Sequence, residues 1–241
     1  HALLPDPVVR RAIMAIAMGL TAVAIIYSPW GQRSGAHINP AVTLAFLYLG
    51  KIAPVDALAY VIFQFLGASA GVGIARILFG PAIADPHVAY VVTVPGPWGV
   101  TGAFGLEFGI SFLLMLTVLT LANQARVARF TGLAAGTLLA LYVLFESPFS
   151  GTSMNPARTF GSAIWGQNWT AWWLYFLAPP LAMLLAAELY SRLASSESIL
   201  CAKLHHTHNV RCIFHCGYAP QAPPRAPNFD QLRLESWQDI L

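Results

Sequence analysis

The sequence is short of charge. Only 10% of its 241 residues are Asp, Glu, Lys or Arg, whereas 57% are hydrophobic, and the mean hydropathy is +0.62. Soluble domains carry roughly 25% charged residues, so this chain has too few charges to cover a water-exposed surface. The composition therefore excludes an ordinary soluble domain and favours an integral membrane protein.

Clusters of basic residues are scarce as well. The net charge is +3 and the Lys and Arg residues are scattered, which argues against nucleic acid as a partner. The loop at 80–101 has no Lys or Arg, whereas the loops around Lys51 and Arg126 and the tail around Lys203 are basic. The positive-inside rule predicts that these basic segments, tail included, are cytoplasmic at an inner or plasma membrane. Arg10 and Arg11 would then lie on the opposite side of the membrane, against this rule.

The chain contains an internal duplication. Residues 34–43 read SGAHINPAVT and residues 150–159 read SGTSMNPART, and an ungapped comparison matches Ser, Gly, Asn, Pro, Ala and Thr. Both motifs lie within similar hydropathy patterns. The match therefore indicates two copies of one structural unit.

Five apolar runs are long enough to cross a bilayer, since a spanning helix needs about 20 apolar residues. Each motif opens one further apolar stretch of about half that length. The predicted full spans lie at about 11–29, 55–79, 102–123, 130–147 and 170–193, and the half-spans lie at 40–49 and 157–165.

Alignment of the two halves on Asn39 and Asn155 leaves one span unmatched. The counterpart of the span at 102–123 would precede residue 1, so we expect the first transmembrane helix to be missing from this chain, as a fragment or a truncation. Three spans per copy would make the halves enter the membrane in opposite directions, as an inverted repeat. The predicted domains are a channel domain at 1–194, with halves at 1–80 and 102–194, and a tail at 195–241.

The motif itself suggests a function. Asn is a good N-cap and Pro suits the first helical position, so each Asn-Pro-Ala would start a short helix within the membrane. Two such helices of opposite orientation would point their positive N-terminal ends and their Asn amides at one spot. That spot would repel cations and offer hydrogen bonds to a neutral polar molecule. The alternative is that both motifs merely cap two soluble helices.

These residues resemble those of the aquaporin and glycerol-facilitator family, the major intrinsic proteins. The resemblance rests on the two Asn-Pro-Ala boxes, the Ser-Gly-x-His before the first and the Ala-Arg after the second, and it covers about 11–194. It implies an all-α membrane bundle with an aquaporin-like inverted repeat and two re-entrant half-helices. It also implies a homotetramer in the lipid bilayer, with one pore per subunit for water and small neutral solutes and no cofactor for transport.

The resemblance assigns pore residues by position. Asn39 and Asn155 would be the midplane donors, and Arg158 would be the cation of the outer constriction, unless it is only a snorkelling residue at the rim. Val143 stands where strict water channels have His, which favours a wider opening for glycerol, urea, peroxide or undissociated metalloid acids. The remaining implied pore residues are Thr152, His37 in the pore-lining loop, and either Met18 or, if the loop before Ser34 has no insertion, Gly19.

Two acidic residues lie within or beside the predicted spans. Glu107 resembles the buried family Glu that accepts hydrogen bonds from a loop backbone, which would give it a structural role. Glu146 either pairs with Arg158 or, as we expect, faces the outer vestibule. An intramembrane enzyme could use Glu107, Glu146 or His37, but nothing pairs a nucleophile with a base at a convincing spacing.

The tail has the residue types of a metal site, because all three cysteines lie within 201–216. Thiolates and an imidazole can complete a tetrahedral zinc site, and reduced cytoplasmic thiols favour metal over disulfide. The expected ligands are Cys201, His205, Cys212 and Cys216; the alternative is a polar juxtamembrane segment. Residues 217–241 are expected to form a flexible extension. A non-conducting relic or a metal-sensing scaffold is therefore the second functional hypothesis.

Overall fold

The protein is built from helices. The computed structural model describes residues 6–124, 126–194, 199–206 and 212–218, and these residues contain no β-strand. The helices are α1 (Pro7–Tyr27), α2 (Pro29–Ser34), α3 (Pro40–Tyr48), α4 (Pro54–Phe79), α5 (Gly99–Ala122), α6 (Thr131–Phe145), α7 (Ser147–Ser150), α8 (Pro156–Gly166) and α9 (Trp172–Ala194), with 3-10 turns at Gly80–Ala84, Ala89–Val91 and Ala128–Phe130.

Five of these helices are long and apolar enough to cross a membrane, which confirms the predicted spans. They are α1, α4, α5, α6 and α9, some extended by an adjoining 3-10 turn. Their outer faces carry exposed apolar side chains such as Val55 and Ile77, 78% and 82% exposed. Such surfaces are stable in lipid and not in water, so the bundle is that of an integral membrane protein.

Each of the two half-spans begins at its Asn-Pro-Ala motif and is short. Asn39 and Asn155 have extended backbones and act as N-caps, and Pro40 and Pro156 occupy the first helical position. Helices α3 and α8 have 9 and 11 residues, so at 1.5 Å per residue they extend about 13 and 16 Å. Each therefore crosses roughly half of a 30 Å hydrocarbon layer.

The duplication extends to the backbone before each motif. The short helices α2 and α7 both end at a glycine with positive φ, Gly35 at 74° and Gly151 at 91°. The next residues, Ala36 and Thr152, are also left-handed, at 59° and 48°. Such backbone is strained for a residue with a side chain, so its presence at matching positions shows that both loops follow the same path.

Helices α1 and α6 cross at a pair of glycines. A Cβ atom on Gly136 would lie 2.7 Å from the carbonyl oxygen of Gly19, and one on Gly19 would lie 2.6 Å from the carbonyl oxygen of Gly136. Gly132, one turn away on α6, gives room to the side chains of Ile26 and Tyr27. Small residues of this kind let membrane helices pack backbone to backbone.

The described part of the tail packs onto one end of the bundle, which we call the tail end. The backbone N–H of Leu204 donates to the Gly35 carbonyl at 3.2 Å, and that of His215 donates to the Lys51 carbonyl at 3.2 Å. Leu200 donates to the Asn123 side chain at 2.7 Å. The tail is thus docked as far as residue 218, and the extension expected at 217–241 lies outside the described residues from 219 onward.

The glycine crossing predicts a position-specific loss of stability. Gly136→Val would force α1 and α6 apart, and overpacking of this kind costs about 1–3 kcal/mol. The matched control is Gly105→Val on α5, where a Cβ atom meets nothing within 4 Å in the described chain. Thermal unfolding in detergent, followed by circular dichroism, should give a lower Tm for Gly136→Val alone; equal Tm values would contradict the close crossing.

Candidate functional site: two joined half-helix ends facing one cavity

The two Asn side chains bind each other's loops. The Asn39 amide nitrogen donates to the Met154 carbonyl at 2.7 Å, and the Asn155 amide nitrogen donates to the Ile38 carbonyl at 2.8 Å. Each accepting carbonyl directly precedes the other Asn in the sequence. The bonds are therefore reciprocal and hold the N-terminal ends of α3 and α8 together at one point.

Each Asn also caps its own helix. The Asn39 oxygen accepts from the Ala41 N–H at 2.9 Å, and the Asn155 oxygen accepts from the N–H groups of Ala157 and Arg158 at 3.0 and 3.2 Å. A side-chain amide carries two N–H donors. Among the described residues only one donor of each amide is used, so the second can serve a molecule in the adjoining space.

Glu107 binds the loop before the second motif, which we call the second loop. It is fully buried on α5, and its Oε1 accepts from the Ser150 hydroxyl at 2.8 Å and from the Ser153 N–H at 2.7 Å. Its Oε2 accepts from the Met154 N–H at 2.7 Å. These bonds fix the peptide whose carbonyl receives the Asn39 amide. The position agrees with the structural role that the sequence suggested for Glu107.

A cavity of about 380 Å³ runs past the joined motifs. It brings together Asn39, Asn155 and Arg158 with two other predicted pore residues, Met18 and Thr152. The rest of its lining is mostly apolar; it comes from α1, α5 and α6, including Ile25, Val118, Ala135 and Leu139, and from α3, the two motif loops and Leu204 of the tail.

The other predicted pore residues lie elsewhere. Gly19 faces the backbone of Gly136 at the helix crossing, so of the two candidates on α1 only Met18 reaches the cavity. Val143 is buried, but the residues of α6 that line the cavity are Leu139 and Ala135, one and two turns away. The alignment alone could not choose between Met18 and Gly19, because a one-residue shift on a helix turns a side chain by about 100°.

Arg158 borders two spaces. It lines the 380 Å³ cavity and also a larger one of about 710 Å³ alongside α4, which shares Asn155 with the first. Its Nη1 atom is buried and has no hydrogen-bond partner among the described residues, so it does not reach the rim as a snorkelling side chain would. The guanidinium group therefore lies inside the protein, beside both spaces.

Glu146 does not face an open vestibule, and that expectation was wrong. Its side chain is 9% exposed, and its Oε2 accepts a short hydrogen bond from the Thr152 hydroxyl. No salt bridge joins Glu146 to Arg158 in the described part of the chain. The hydroxyl proton of Thr152 is therefore engaged by Glu146, although Thr152 lines the cavity.

His37 contacts the tail. Its Nε2 lies 2.7 Å from the Ala202 carbonyl, so this nitrogen carries the proton and donates it. The ring stacks between Phe46 and Phe214, with centroids 5.2 and 5.5 Å away. His37 supports the loop before the first motif, as expected, but from a contact with the tail that the sequence did not suggest.

The tail cysteines come together with a histidine other than the expected one. The ligand atoms of Cys201, His206, Cys212 and Cys216 lie within 4.8 Å of one another. The choice of His205 was wrong, because its ring packs edge-on against Tyr27 at 4.7 Å. Adjacent residues in an extended segment point in opposite directions, so only one of the pair could face the thiols. Burial raises the pKa of the Cys201 and Cys216 thiols.

The Glu107 contacts predict a stability effect larger than that of a surface carboxylate. Glu107→Gln would set an amide against buried donors, and each stranded donor costs about 1–3 kcal/mol. The control is Glu188→Gln on α9, whose carboxylate bonds Tyr48 and Arg192 at an exposed site. We expect a clearly lower Tm for Glu107→Gln and little change for Glu188→Gln. Equal Tm values would mean that Glu107 does not hold the loop.

Comparison with known proteins agrees with this geometry. The family model "Major intrinsic protein" matches residues 6–190. Curated relatives include Aquaporin NIP1-4 of Oryza sativa subsp. japonica, 37% identical over 179 residues (74% of this chain and 63% of the relative), and Aquaporin-4 of Mus musculus, 36% identical over 186 residues (76% and 56%). The matched region thus spans less than two thirds of these relatives.

A solved structure shares the fold. The aquaglyceroporin from Plasmodium falciparum superimposes with a TM-score of 0.57 at 19% identity, over 78% of this chain and 94% of that one. Members of the matched family are channels, so the intramembrane-enzyme hypothesis is excluded. With its paired Asn-Pro-Ala half-helices and its aquaporin fold, this chain belongs to the major intrinsic protein family.

Proposed function

We propose that the protein is a passive channel for water and small neutral solutes. The observation that carries the proposal is the pair of half-helix ends joined by Asn39 and Asn155 beside one cavity that Arg158 also lines. Helix N-termini carry a positive partial charge. The cavity therefore has hydrogen-bond donors and a positive potential where the two Asn residues and Arg158 line it. Such a site suits neutral molecules with an acceptor oxygen and disfavours cations, protons included.

The solute class follows from what lines the rest of the path. Met18 and Leu139 are apolar, and the Thr152 hydroxyl already donates its proton to Glu146. A channel with few polar groups beyond its two amides and one guanidinium favours compact solutes with both polar and apolar surface. Glycerol, urea, peroxide and undissociated metalloid acids are of this kind. The name of the structural neighbour, an aquaglyceroporin, is consistent with this preference.

The orientation of the channel in the membrane and its oligomeric state are also part of the proposal. The basic loops and the docked tail lie at one end of the bundle, which we assign to the cytoplasm of an inner or plasma membrane. The exposed apolar faces of the outer helices suit lipid and neighbouring subunits, in line with the homotetramer expected for the family.

A second function, a non-conducting metal-sensing scaffold, is favoured by one observation. Leu204 of the tail lines the same cavity as Asn39, which places an apolar side chain at the tail end of the path. Transport measurements separate the two functions.

The experiment is stopped-flow light scattering on proteoliposomes under water and glycerol gradients, in zinc-containing and in chelator-containing buffer. We expect faster osmotic shrinkage than in empty liposomes, with a low activation energy, followed by glycerol entry. Folded protein without excess permeability in either buffer would contradict the channel function.

Arg158→Ala tests the constriction. Removal of the guanidinium would leave water flux largely intact and add a proton leak, measured with a pH-sensitive dye in the same vesicles, because a positive barrier is lost. The matched control is Arg192→Ala, whose side chain bonds Glu188 at the exposed end of α9. Equal proton leaks in the two variants would rule out the role given to Arg158.

A further inference from the structure

The tail cluster has the composition and spacing of a metal site. The sulfur atoms of Cys201 and Cys212 lie 3.5 Å apart, and the Cys216 sulfur lies 3.2 Å from Nε2 of His206. The edge of a zinc tetrahedron with ligand distances of 2.0–2.3 Å is about 3.3–3.8 Å. A disulfide would bring two sulfurs to about 2.05 Å, so the cysteines are free thiols.

The surroundings also suit bound thiolates. The backbone N–H of Lys203 donates to the Cys201 sulfur, and that of Tyr218 donates to the Cys216 sulfur, each from two residues further along. Hydrogen bonds of this kind orient sulfur ligands and stabilise their negative charge. Three thiolates and one neutral imidazole give a Zn²⁺ site a net charge of −1. Lys203, 1% exposed, lies in the same buried segment.

The same segments contact the pore loop on their other side. The Ala202 carbonyl accepts from His37, and the Leu204 N–H donates to the Gly35 carbonyl. The Phe214 ring packs so closely on Gly35 that a Cβ atom there would lie 2.7 Å from it. Residues between and beside the four ligands thus hold the loop that precedes the first motif.

One residue of these segments, Leu204, also lines the cavity. The Leu204 side chain is 8% exposed and lines the cavity that contains Asn39 and Asn155. It lies midway between two ligands in the sequence, two residues before His206 and three after Cys201. Its position over the cavity therefore depends on the conformation that the four ligands impose.

We propose that Cys201, His206, Cys212 and Cys216 bind one Zn²⁺ ion, and that this ion holds Leu204 across the tail end of the pore. Soft thiolate ligands select Zn²⁺ over Mg²⁺ or Ca²⁺. Binding forms four metal–ligand bonds and releases the thiol protons, up to three, without any change of oxidation state. Loss of the ion removes the metal link between segments 199–206 and 212–218, leaves the backbone bond from Gly217 to Leu200, and lets Leu204 move. This second part rests on the proposed channel function.

The metal site is tested on the full chain, purified in reducing buffer, by elemental analysis. We expect one zinc per chain in the wild type and at least a tenfold loss of occupancy in His206→Ala and Cys212→Ser after dialysis against a competing chelator. His205→Ala is the matched control and should keep its zinc. Replacement by Co²⁺ should give the charge-transfer absorption of thiolate ligation. Equal zinc contents in all four proteins, or a Cys201–Cys212 disulfide in the purified chain, would overturn the site.

The effect on the pore is tested in the stopped-flow assay. Removal of zinc by the chelator should raise water permeability several-fold in the wild type, and zinc should restore the lower value. Leu204→Ala should show the high permeability with zinc still bound. Unchanged permeability after the zinc has left would overturn the link to the pore. Absence of flux in every state would contradict the channel function, while the zinc content would still decide the metal site.

Discussion

The reciprocal pair of amide bonds is the constraint on which the rest depends. Asn39 reaches the carbonyl before Asn155, and Asn155 reaches the carbonyl before Asn39. Two helix N-termini of like partial charge would otherwise repel each other, and their loops would leave polar backbone within the membrane. The bonds satisfy that backbone and fix the distance between the two ends, and the cavity lies against this junction.

The supports of the two loops differ although the loops match. The second loop is held by Glu107, a buried carboxylate on α5. The first loop is held by α4, since Tyr60 donates to the Ser34 carbonyl and Gln64 donates to the His37 carbonyl. It is also held by the tail, which accepts a hydrogen bond from His37 and stacks Phe214 on that ring. Both loops are therefore bonded to a transmembrane helix, and the first has the C-terminal segment as an additional support. This asymmetry is what gives the tail access to the pore.

The sequence was enough to predict the five spans and the half-helices, because these depend on composition, on the Asn-Pro pair and on the duplication. It was not enough to choose between Met18 and Gly19, since that choice requires the rotation of α1 against α6 at Gly136. It also misassigned Glu146 and His205. Both errors concern which neighbour a side chain meets, and that is decided by tertiary packing that no local pattern encodes.

The span of chain that separates the two amides has a consequence for biosynthesis. The carbonyl that accepts the hydrogen bond of Asn39 belongs to Met154, 115 positions later in the sequence. Helices α4, α5 and α6 are therefore synthesised before that partner exists. Until then the first half-helix has no counterpart within the bilayer, and contacts of such long sequence separation form late. Both reciprocal bonds can therefore form only after the second copy has been synthesised, so the junction is completed last in the order of the chain.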